Sequence, residues 1–92
     1  MNTLSEVALF GLPILERLRP APLDAPLEIF LKLGKVAESL EKLGKKDLSN
    51  QVTTLMLAVA PLNDHASRPE KLDVFALYLV QTLEGALRRF LE

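Results

Sequence analysis

Cysteine is absent from the 92-residue chain, which removes disulfides, thiolate catalysis and thiolate metal sites together. That absence is compatible with a reducing compartment. Formal net charge is −1, so there is no global attraction to nucleic acid or anionic lipid, and only a local basic patch could supply one. No stretch approaches the roughly 18 to 20 uncharged apolar residues of a membrane span. The opening "MNTLSEVALFGLPIL" carries Glu6 early and lacks the basic n-region of a secretory leader, so the expected location is cytoplasmic. There is no glycine-rich phosphate loop and no G-x-G-x-x-G. No segment alternates with period two for long enough to argue a strand, and neither a repeat nor a low-complexity tract is visible.

What remains is apolar and helical. Apolar residues make up 49 % against 25 % charged, a globular balance, and the length suits one domain spanning residues 1–92. A chain of this size buries roughly two thirds of the surface its unfolded form exposes. Proline and glycine punctuation, "RPAPLDAP" (19–26), "GKK" (44–46) and "PLNDHAS" (61–67), cuts it into four segments.

The first helix is expected over 4–18. Thr3 and Glu6 fit a T-x-x-E capping box, and Leu4, Val7, Ala8, Gly11, Ile14, Leu15 and Leu18 share a face. Pro13 inside it predicts a kink or break near Gly11. The second helix, 25–43, is expected to start after Asp24 as N-cap with Pro26 in its first turn. Its stripe is Phe30, Leu33, Ala37 and Leu40, and Gly44 ends it in the left-handed conformation. The third, 47–60, carries Leu48, Val52, Leu55 and Val59 at helical steps. The fourth, 68–91, is expected to open on a Ser67–Glu70 capping box, with Leu72, Phe75, Ala76, Leu79, Leu83, Ala86 and Phe90 on one face. The predicted fold is all-α: a small four-helix bundle, antiparallel and up-and-down-like, with a kinked or broken first helix.

These helices hold more apolar surface than one small core needs. Leu77, Val80, Leu87 and Leu91 widen the fourth stripe to roughly 200°, where a core-facing stripe needs somewhat over 100°. Val74 and Tyr78 lie outside even that. Leu57 points away from the third stripe, and Leu27 and Leu31 lie opposite the second. Scattered exposed leucines need no explanation, and a central helix can face two neighbours. The alternative is a protein partner, most simply a second copy across a two-fold interface seamed by the fourth helix. The candidate interface residues are Leu31, Leu57, Val74, Leu77, Tyr78, Val80 and Leu91.

Chemistry has little to draw on: one histidine, one tyrosine and twelve carboxylates. Asp64, His65 and Ser67 contain the residue types of a nucleophilic triad. Residues so close in a tight turn rarely place the histidine between serine and carboxylate. His65 with Asp64 supplies two metal ligands where zinc takes three or four. Turn formation by Pro61, Asn63 and Asp64 accounts for the same residues. Glu38 and Glu41 sit among Lys35 and Lys42, the pattern of a charge-paired solvated face. The sequence is therefore read as non-catalytic, with no cofactor, no metal and no membrane span.

"ESLEKLGKKDLSNQVTTLML" (38–57) superficially resembles a helix-turn-helix unit, the alternative function being DNA-binding regulation. Ser49, Asn50 and Thr53 would face bases or phosphates, with Lys42, Lys45 and Lys46 on the backbone. Against it, Asp47 lies at the supposed groove-facing end, no arginine or lysine follows until Arg68, and the register does not match the usual unit. Arg88 and Arg89 sit among apolar residues near Glu84 and Glu92, which leaves no basic face for lipid. The expectation is a protein–protein interaction or oligomerisation module, a homodimer in the simplest case.

Overall fold

The computed structural model describes residues 1–20, 23–60 and 72–92. Among them the chain forms four α-helices and no strand: α1 Leu4–Glu16, α2 Pro26–Lys42, α3 Lys46–Val59 and α4 Val74–Arg89. The helix-terminating Pro61, the turn around His65 and the Ser67–Glu70 capping box expected from the sequence lie outside the described residues.

The first cap forms with one change. Thr3 Oγ1 accepts from Glu6 N at 3.2 Å, as a capping box requires. Glu6 reaches further back, its Oε1 accepting from Asn2 N at 3.1 Å and from Thr3 Oγ1 at 3.2 Å. These two bonds, the backbone one first, hold the Glu6 carboxyl below its ordinary pKa. Of the kink or break expected near Gly11, the break does not occur: the chain stays helical from Leu4 to Glu16. Pro13 and Leu9 are both exposed, so the carbonyl that loses its donor to proline lies on the wet side of the helix. Beyond Glu16 the chain tightens, Leu18 N donating to Leu15 O and Arg19 N to Glu16 O. Leu18 is thereby kept in the core at 1 % exposure.

The start of α2 differs from expectation. Asp24 does not cap it; the N-cap is Ala25, at φ 50° and ψ 60°, with no side-chain hydrogen bond and Pro26 following. Its end is a full Schellman turn: Gly44 has φ +82°, Lys45 N donates to Leu40 O and Gly44 N to Glu41 O.

The helices form a ring. α1 packs on α2 and α4, α3 packs on the same two, and the diagonal pairs make no close backbone contact among the described residues. At Gly11, α1 lies close to both neighbours: a Cβ there would lie 2.9 Å from Leu87 Cδ1 and 3.6 Å from Val36 Cγ2. At the α2–α3 seam, Ser49 Oγ donates to Ala37 O at 2.8 Å, and Met56 Cε lies against Gly34. The core inside the ring is aliphatic, with Leu15, Ile29, Leu33, Leu40, Leu55 and Leu83 all almost fully buried.

Candidate interaction face on the last helix

Asp73 starts α4, its carboxylate accepting from Ala76 N at 2.8 Å. An aspartate immediately before an apolar run is an N-cap signal in its own right, and it lay in the sequence behind the stronger-looking Ser67–Glu70 pattern. The buried face of α4 is Ala76, Val80, Leu83, Glu84 and Leu87. At 100° per residue this face is turned about 70° from the stripe that the apolar pattern suggests. Two expectations fall with that rotation. Val80, offered as an interface residue, is a core residue with 0 % exposure. Phe75, offered as core, is 64 % exposed.

Glu84 causes the discrepancy. A carboxylate inside an apolar run pushes any hydrophobic stripe away from itself, yet Glu84 is only 2 % exposed. Its partner is Arg19, from the turn after α1, whose guanidinium donates to Glu84 Oε1 in a charge-assisted bond. The hydrogen bond first, and then the carboxylate's charge, raises the Arg19 pKa above its ordinary value. Arg19 keeps about half of its side chain in water, so the pair is buried on one side only.

With Glu84 turned inward, the outward face begins with Val74 at 84 % exposure and Tyr78 at 64 %. It continues through Gln81, Thr82, Gly85 and Arg89, all exposed. Leu77 lies at its edge, partly buried against the core. Two shallow depressions flank this line. One, of about 420 Å³, is lined by Tyr78, Gln81, Thr82, Gly85, Ala86 and Arg89. The other, of about 360 Å³, is lined by Arg19, Val74, Leu77, Tyr78 and Gln81. Tyr78 and Gln81 border both, so the phenol stands as a ridge between two hollows. A Cβ on Gly85 would meet nothing within 4 Å.

The remaining sequence-derived candidates lie elsewhere. Leu27 and Leu31 on α2 and Leu57 on α3 are exposed at 57, 58 and 69 %, and Leu91 at 44 % follows α4. Leu9 on α1, exposed at 65 %, belongs with them and carries no sequence signal beyond its place on the wet side of Pro13. Nothing brings the α2 and α3 leucines onto the α4 face.

Of the set proposed for DNA contact, Ser49 faces inward, while Lys42, Lys45, Lys46, Asn50 and Thr53 are exposed. Ser49 is buried, and its hydroxyl is bonded to α2 at Ala37 O. The Thr53 hydroxyl donates to Ser49 O at 3.0 Å, and Asn50 O accepts from Thr54 Oγ1 at 3.0 Å. Lys42 Nζ pairs with Glu38 at 2.9 Å, which lowers the Glu38 pKa through that hydrogen bond and the lysine charge. Lys45 Nζ sits 5.9 Å from the Phe90 ring centroid, within cation–π range, and Lys46 opens α3 exposed. Glu28 is likewise lowered by its bonds to Lys32 and Arg17. Among the described residues no three His, Cys, Asp or Glu side chains are grouped as metal ligands, and no helix is long and apolar enough to cross a membrane. Asp64, His65 and Ser67 lie outside the described residues.

No protein-family model, curated protein or solved structure matches this chain.

Proposed function

We propose that this chain is a small, non-catalytic helical interaction module that pairs with a second copy of itself through the outward face of α4. The observation that carries this is the exposed Val74–Phe75–Tyr78 cluster on the side of α4 turned away from the packed core. An aromatic ridge left in water favours burial against a partner, since large aromatic side chains dominate interface energetics. Cysteine-free composition accords with a cytoplasmic setting.

A binding rather than catalytic role is supported by how the carboxylates are used. Glu28, Glu38 and Glu84 are each tied to a cation of the same chain, the arrangement of structural ion pairs. An antiparallel, up-and-down order of the helices belongs to the same proposal. Ser5 Oγ donates to Phe90 O while Arg19 meets Glu84, so early α1 goes with late α4. Ser49 meets Ala37 while Met56 meets Gly34, the same reversed sense for α2 and α3. DNA binding is not advanced, because Ser49 is committed to the α2–α3 seam.

Tyr78→Glu tests the role of the face. Tyr78 lies outside the core, so the helical circular dichroism should be unchanged, while the mass by light scattering falls from dimer to monomer. Equal masses for the variant and the unaltered chain at the same concentration would rule the α4 face out as the interface.

A further inference from the structure

Given self-association through α4, we infer its register: two α4 helices pair antiparallel about a two-fold axis between Gln81 and Thr82. In that register Val74 faces Arg89 of the second copy and Tyr78 faces its Gly85. Gln81 and Thr82 face their own counterparts across the axis.

Three features of the face select this arrangement. The first is shape. The hollow at Thr82, Gly85 and Ala86 adjoins the Tyr78 ridge, and Gly85 offers no side chain and open space above its Cα. Ridge and hollow lie at equal distances on either side of the axis, as an isologous interface requires of any projection and the surface that receives it.

Charge is the second. Asp73 caps one end of α4, and Arg88 and Arg89 occupy the last turn of the other. Antiparallel pairing brings the last-turn arginines of one copy to the end of its neighbour's α4 that carries Asp73 and the Tyr78 ring, an opposite charge and an aromatic face, beside an Arg19 already paired with Glu84. Parallel pairing would set arginine against arginine and lay the two helix dipoles side by side in the same direction, like end beside like end.

The third is the chemistry at the axis. A carboxamide carries both donor and acceptor, and a hydroxyl does the same, so Gln81 and Thr82 can each bond a copy of themselves. A seam one helix long is at the small end of specific interfaces, which makes the pair a reversible one.

Single cysteines in this cysteine-free chain read the register directly. Gln81→Cys should give a disulfide-linked dimer on mild oxidation, because the two copies of residue 81 meet beside the axis. Val74→Cys should not, since its two copies are separated by about 22 Å along the helices, far beyond the roughly 7 Å Cα limit for a disulfide. Gly85→Leu should keep the fold, a Cβ there meeting nothing within 4 Å, yet weaken dimerisation by roughly tenfold or more by filling the hollow. A monomeric unaltered chain would overturn both the self-association and its register. A dimer in which Val74→Cys cross-links, Gln81→Cys does not, or Gly85→Leu leaves affinity unchanged would overturn the register alone.

Discussion

Glu84 decides which way α4 faces. Its side chain is 2 % exposed while that of Arg19 is 50 % exposed, so the two ends of the pair respond differently to loss of the other. Removing Arg19 strands a carboxylate in the core, and an uncompensated buried charge is strongly destabilising. Changing Glu84 to glutamine leaves Arg19 in contact with water and a carbonyl oxygen still able to accept from it. Arg19→Ala is therefore expected to lower the thermal midpoint clearly. Glu84→Gln should stay within about 1 kcal/mol of the parent in urea titrations. Equal losses for the two variants would show that the pair is not asymmetric in this way. The same residue explains what was hidden in the sequence. Apolar periodicity locates α4 but does not place Glu84 in the core, because a partner 65 positions away leaves no local trace. Val80 and Phe75 exchange places as a result, and so the exposed aromatic pair of Phe75 and Tyr78 is visible only in three dimensions.

Helix ends show where local signals suffice. Gly44 was legible, because a glycine after a periodic run followed by lysines is a strong C-terminal signature. Its φ of +82° and the two closing hydrogen bonds follow. The start of α2 was not legible: Asp24 looks like a cap, but Ala25 takes the N-cap position in a left-handed conformation instead. Opposite substitutions test both ends. Gly44→Ala should destabilise by about 1–2 kcal/mol, the cost of placing a Cβ in that backbone region, with no steric contribution because nothing lies within 4 Å. Ala25→Gly should raise stability by up to about 1 kcal/mol, reversing the usual sign of an alanine-to-glycine change, because the strain it relieves exceeds the entropy it adds. Chemical denaturation of the two variants checks both, and a destabilised Ala25→Gly would contradict the left-handed cap. Pro13 is a milder case at this scale. Sequence alone marks it as a breaker, but its position on the solvent side of α1 lets the helix continue.

At the scale of the whole molecule, four helices in a ring enclose one aliphatic core and leave a single helix with an aromatic ridge turned outward. The surplus of apolar residues was countable in the sequence. Which of them were surplus was not, because that depends on the rotation of α4 about its own axis. Val74 and Tyr78 remain outside the core, Leu77 lies at its edge, and Val80 joins it. The proposed occupant of this face is a second copy of the chain. Sedimentation equilibrium of the unaltered protein over a range of loading concentrations tests it most directly. The expected result is an apparent mass that rises reversibly from the 10.2 kDa monomer and levels off at twice that value. A mass that stays at the monomer value at every concentration, up to the millimolar range where even weak pairs associate, would contradict it.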